Sequence, residues 1–206
     1  MINDSNSYFS VPHQFNVYLS AWDKQRPIPD DTQLRQMQST GLKLLSEVKA
    51  LESNCLLQLR QLDSATQSIV EFLKLQSRKV DLVLQHVLEK EAQAGVQYQG
   101  HQFGGSGLSL FSDKQMDVGS IFSCHIYLHA EVVAVLCICE VTGSYPADKQ
   151  EAIAPNNPAT IEQALWQTDL AFIQILDEDV EQLVKASLTV QQKMLKLRKQ
   201  LRKDNL

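Results

Sequence analysis

Glycine and proline are scarce, 8 and 6 in 206 residues, and neither occurs between Leu42 and Ala94. An average window of that length holds several of each. Their absence excludes a turn-rich β region there and leaves a long helix or a tight helical pair. No apolar run approaches the roughly 18 residues of a membrane span. The start, MINDSNSYFS, has no basic n-region and no apolar h-region, so it does not read as a signal peptide. Cysteine occurs four times, as Cys55, Cys124, Cys137 and Cys139. No pair has zinc-ligand spacing, and a chain of this size needs no disulfide staples. The expectation is reduced core thiols in a cytoplasmic protein. Charge of either sign is modest, 19 Lys and Arg against 24 Asp and Glu, a formal net charge of −5. That balance argues against general nucleic-acid affinity, which needs clustered cations. The one exception is the tail, where Lys193, Lys196, Arg198, Lys199, Arg202 and Lys203 stand with no acid among them.

What is present alternates between β and α patterns. Phe9 to Ser20 mixes aromatic and β-branched residues and reads as a strand, an edge strand by its Pro12. Trp22 to Asp31 is turn-rich, and Asp30 or Asp31 caps a helix. From Leu34 to Val87 apolar residues keep near a 3.5-residue spacing, the mark of a coiled-coil seam. A second row, including Leu44, Leu51, Leu84 and Leu88, points to a bundle of three or four helices. The region reads as one long, mostly continuous helix. A break near Ser53–Asn54 or Asp63–Ser64 would fold it into a hairpin instead.

Val96 to Gln102 and Leu108 to Phe111 read as strands around the turn Gly104-Gly105-Ser106-Gly107, where positive φ is expected. Ile121 to His129 alternates as a half-buried strand, and Val132 to Thr142 reads as a central one. Residues 145–160 hold three of the six prolines and read as a loop. Trp166 to Ile175 is the last strand. Asp177 then caps a final helix, with Glu178, Asp179 and Glu181 in its first turn and the basic cluster in its last, an order that suits the helix dipole. Val180, Leu183, Val190, Met194, Leu197 and Leu201 give this helix its own heptad seam.

No catalytic set is visible. His125 and His129 are four apart on a strand, about 13 Å, too far to share a metal. The glycine turn is not a phosphate loop, because it has no Lys and opens no helix. Cys137 and Cys139 read as a core pair. The acids at 177–181 suit a helix start better than acid/base work.

Three stretches together resemble the PilZ domain, the small bacterial barrel that often receives cyclic di-GMP. SYFSVPHQFNVYL is similar to its first strand. HQFGGSGLSLFSDKQMDVGSIFSCHIYL is similar to its DxSxxG segment and the strands after it. LAFIQILDEDVEQLVKASLTVQQKMLKLRKQ is similar to its last strand and following helix. The helical insertion after the first strand resembles the atypical PilZ proteins that assemble into a tetrameric coiled-coil bundle. The resemblance implies an α+β fold: a small antiparallel PilZ-like barrel over 1–30 and 95–206 with its C-terminal helix, and a coiled-coil insertion over 31–94.

The family's nucleotide residues map here onto Asn6 and Ser10 in place of two arginines, Gln102 in place of Asp, Gly104 in place of Ser, and Gly107, which alone matches. Arginine holds guanine and phosphate through a planar fork of permanent charge. Asn6 and Ser10 bring none. Losing charge-assisted contacts of about 1.5–3 kcal/mol each weakens binding by orders of magnitude. The expected function is therefore a non-enzymatic regulatory adaptor without cofactor or metal. It is a homo-oligomer, a tetramer through helices 31–94 and 177–203, acting on a regulatory protein partner. The alternative is a cyclic di-GMP sensor that uses other residues, such as Lys24, Arg26 or the basic tail.

Overall fold

The computed structural model describes residues 10–59, 67–91, 93–147 and 166–204. The chain divides into two compact units, Met1–Leu34 with Ala94–Leu206, and Arg35–Gln93. The architecture is α+β. The first unit is a closed barrel of six antiparallel strands: β1 (Val11–Ala21), β2 (Val96–Phe103), β3 (Gly107–Ser112), β4 (Ile121–Leu128), β5 (Val133–Pro146) and β6 (Trp166–Gln174). Their order around the barrel is β1-β2-β3-β6-β5-β4. Helix α4 (Asp177–Asp204) follows β6.

Alternation builds the barrel. Val11, Phe15, Val17 and Leu19 of β1 point inward, as do Cys124, Ile126 and Leu128 of β4. β5 is buried on both faces, since every residue from Val133 to Cys139 is buried, which suits its continuous apolar run. Leu183, Ala186 and Val190 of α4 join the same core. β1 is not an edge strand: it pairs with β2 on one side and β4 on the other. Pro12 is accommodated because β4 pairs only from Asn16 onward, and the β1–β2 register shifts between Pro12 and Phe15.

The second unit is a helical hairpin, α2 (Thr40–Leu59) and α3 (Gln67–Lys90), lying antiparallel against each other. This replaces the single long helix. Lys49 Nζ lies 2.6 Å from Asp81, 32 residues on, which one continuous helix would hold about 48 Å apart. Ser77 Oγ donates to Glu52 across the same pair. Of the two expected break points, Ser53–Asn54 lies inside α2, and Asp63–Ser64 lies outside the described residues. Ser39 caps α2, its Oγ accepting from the Leu42 N–H at 3.2 Å. Glu91, after α3, accepts from Ser39 Oγ and from the Gly41 N–H, both at 2.7 Å. One carboxylate thus ties the base of the hairpin to the positive end of α2.

Helix α1 (Asp31–Met37) starts as the sequence suggests. Asp30 and Gln33 each accept the other's backbone N–H, at 2.8 and 3.1 Å, a reciprocal capping box. Helix α4 starts one residue earlier than expected. The Leu176 carbonyl accepts from the Val180 N–H at 3.0 Å, so Asp177 lies inside the first turn rather than at the cap. Tyr145 and Pro146 belong to β5, and residues 148–160 of the expected loop lie outside the described residues.

Candidate functional site

The motif positions converge at one end of the barrel, where β1 begins, β2 ends and the β2–β3 turn sits. Asn6 lies outside the described residues. Ser10 and Gln102 meet: Gln102 Nε2 donates to Ser10 Oγ at 2.5 Å. The pair is held together by that bond, and neither brings charge. The Gly104 N–H closes the turn on the Gly107 carbonyl at 2.9 Å.

The glycines of this turn serve close approach rather than positive φ, which among described glycines occurs only at Gly95 and Gly119. A Cβ on Gly107 would stand 2.3 Å from the Leu170 carbonyl oxygen of the paired strand β6. A Cβ on Gly105 would meet Val184 of α4 at 3.0 Å and Val180 at 3.6 Å. Helix α4 therefore lies directly on the turn.

The cations at this end are already engaged. Glu131, whose side chain is 4% exposed, takes Lys193 Nζ of α4 at 3.0 Å and faces His13 Nε2 of β1 at 3.1 Å. It stands in the short 3-10 turn His129–Glu131, which ends at Val132 in left-handed backbone, φ 52° and ψ 51°. That conformation costs a β-branched residue about 1–3 kcal/mol. The turn thus ties β1, the β4–β5 link and α4 through one carboxylate, a link that no sequence spacing signals. Arg26 is spent elsewhere. It follows the far end of β1 and stacks on Trp22, 4.4 Å from the ring centroid. Lys24 is in that same stretch, so neither stands near Ser10.

His129 leaves β4 for the 3-10 turn, and its Nε2 meets Asn16 Nδ2 at 3.1 Å. Among the described residues no group of three or more His, Cys, Asp or Glu has metal-holding geometry. Cys124, Cys137 and Cys139 are buried free thiols. Burial pushes Cys124 and Cys137 up, and a hydrogen bond with Cys124, with burial, does so for Cys139. These groups are protonated at neutral pH and poor nucleophiles.

Sequence reasoning missed a cavity of about 440 Å³ at the opposite end of the barrel, lined among others by Val96, Tyr98, Asp113, Met116, Asp117 and Phe122. Burial and the Asp113 carboxylate raise the Tyr98 hydroxyl. The start of β2 and the β3–β4 link build this cavity jointly, and no local motif marks such a juxtaposition. Among the described residues no helix is long and apolar enough to cross a membrane.

No family model matches the chain, and no curated protein does. Several solved structures are similar to it. One is a tetrameric PilZ-domain protein of Xanthomonas campestris, self-assembled through a helical bundle. It is 13% identical over 92% of this chain and 91% of that one, with a TM-score of 0.48. A second is the inhibitor of motility MotI/DgrA of Bacillus subtilis, 12% identical over 50% of this chain and 45% of that one, TM-score 0.37. A third is MrkH of K. pneumonia in complex with c-di-GMP, 10% identical over 51% and 43% respectively, TM-score 0.37.

Proposed function

We infer that the chain is a non-enzymatic regulatory adaptor of the PilZ type that no longer binds cyclic di-GMP at the motif positions. It acts through protein contacts as a homo-oligomer. The observation that carries this reading is the Ser10–Gln102 hydrogen bond. The two side chains that would face a nucleotide are bonded to each other and offer no cation. A ligand with two phosphates would have to displace that bond without charge-assisted contacts in return, a deficit of about 1.5–3 kcal/mol per lost arginine. The packing of Val184 on Gly105 supports the same reading, because α4 stands on the turn.

Self-assembly is supported by the hairpin. Ile69, Phe72, Leu75, Leu82 and Val83 of α3 are all more than half exposed. Large apolar residues in heptad-like rows call for a helical neighbour. A tetramer of hairpins covers them, and several barrels presented together turn weak partner contacts into strong ones by avidity. Calorimetry with cyclic di-GMP, on protein whose mass is set by light scattering, tests the reading. No heat is expected up to high micromolar ligand, and a mass of four chains. Micromolar binding overturns it in favour of a ligand sensor that uses other residues. A monomer at micromolar protein overturns the assembly.

A further inference from the structure

Among the described residues little covers the second half of α4. Its first half is set in the barrel core through Leu183, Ala186 and Val190. Val190, Met194 and Leu197 then continue the seam at four- and three-residue steps, and Leu201 follows at the next. Exposure rises along that seam: Val190 is 4% exposed, Met194 half-buried and Leu197 58% exposed. From Leu195 to Gln200 every residue is exposed, on all sides of the helix.

The charge there is of one sign. Six cations and no acid lie between Lys193 and Lys203, in a chain of net charge −5. Lys193 is held by Glu131. Among the described residues Lys196, Arg198, Lys199 and Arg202 have no acidic partner. The helix dipole accounts for only part of this run, because its influence fades within the last turn, and Lys196 stands more than two turns before Asp204.

We propose that residues 190–204 of α4 dock an acidic amphipathic helix of another protein. Leu197 is the central anchor, and Arg198 flanks the seam and selects acidic residues on the partner. Pairing of this segment with its copy in a second chain is opposed by the like charges between Lys193 and Lys203. A lipid surface fits less well. At 100° per residue Val190, Met194, Leu197 and Leu201 fall within about 60°, while Leu188 and Leu195 lie on the opposite side. Binding in the membrane plane needs one broad apolar face, whereas a narrow heptad seam is what a partner helix takes. This proposal is independent of the nucleotide reading and of assembly through the hairpin.

The test titrates the full-length protein into labelled synthetic heptad peptides with Leu at the seam and either Glu or Lys at the flanks. Phosphatidylglycerol–phosphatidylcholine vesicles run in parallel, and protein mass is followed by light scattering. Binding of the Glu peptide alone is expected, weakening about tenfold between about 50 and about 300 mM salt. Leu197→Asp, and separately the combination K196Q, R198Q, K199Q and R202Q, each weaken it about tenfold or more with the melting temperature unchanged. The proposal is overturned by no binding of the Glu peptide, by equal binding of both peptides, or by full binding in Leu197→Asp. Preference for vesicles, or a fall in protein mass in Leu197→Asp, overturns it too, pointing to a lipid surface or to self-pairing.

Discussion

Single side chains in this protein often join segments that the chain keeps far apart. Glu91 is the clearest case, since Ser39 and Gly41 both donate to it at 2.7 Å. Glu91→Ala strands a hydroxyl and a backbone N–H at the start of α2 and should cost the helical unit about 1–2 kcal/mol. Urea unfolding followed by far-UV circular dichroism reads that loss. Gly107 is constrained by backbone rather than by a movable side chain: Gly107→Ala places a methyl 2.3 Å from the Leu170 carbonyl oxygen. The β3–β6 pairing must part, at about 3 kcal/mol, and a lowered denaturation midpoint with a native hairpin is expected.

The three barrel thiols give a pH dependence. Their folded pKa values lie above the ordinary 9.0. The unfolded chain therefore releases thiol protons first. Stability from this source is fully present below the ordinary value and falls as pH rises above it toward the raised folded values. Unfolding free energy should decline above about pH 9, and less steeply in Cys137→Ala once its own packing loss is subtracted. Native protein at pH 8 should leave these thiols unmodified by a disulfide reagent until denaturant is added.

At the scale of the element, the two apolar rows of the insertion were visible but their assignment to faces was not. In α3 the second row is the buried one, with Leu84 7% and Leu88 6% exposed, while Ile69, Leu73, Val80 and Val83 of the first row face outward. In α2 the roles exchange: Leu45 of the first row is buried and Leu44 and Leu51 of the second are exposed. A row written along one helix loses its register once the chain reverses, and periodicity does not report the reversal. Leu84→Ala should cost about 2–4 kcal/mol at any protein concentration. Leu82→Asp, 58% exposed, should leave the melt of the isolated chain near wild type and lower the mass seen by light scattering. An unchanged mass would remove this face from the assembly.

For the whole molecule, the proposed absence of nucleotide binding at the motif positions is testable in reverse. If Asn6, Ser10, Gln102 and Gly104 stand where a PilZ receptor places its nucleotide contacts, as proposed, introducing the PilZ motif residues there should create binding. Asn6→Arg, Ser10→Arg, Gln102→Asp and Gly104→Ser together should bring cyclic di-GMP affinity into the micromolar range, read by calorimetry and by a rise in melting temperature. No gain would mean that α4, seated on Gly105 through Val184, closes this end of the barrel whatever residues line it.

The sequence by itself determined the element types: strands where apolar residues alternate, helices where they recur at three and four, and a capping box at Asp30 and Gln33. These are properties of neighbours along the chain, governed by backbone geometry and local hydrogen bonding. It also determined the absence of charge at Ser10 and Gln102, because residue identity alone settles that. Only the tertiary structure decided that these two side chains bond to each other, that Glu131 gathers His13 and Lys193, and that α2 and α3 fold back as a pair. Each is a contact between segments remote in the chain, and such contacts are selected by how whole elements pack, which no short-range pattern encodes.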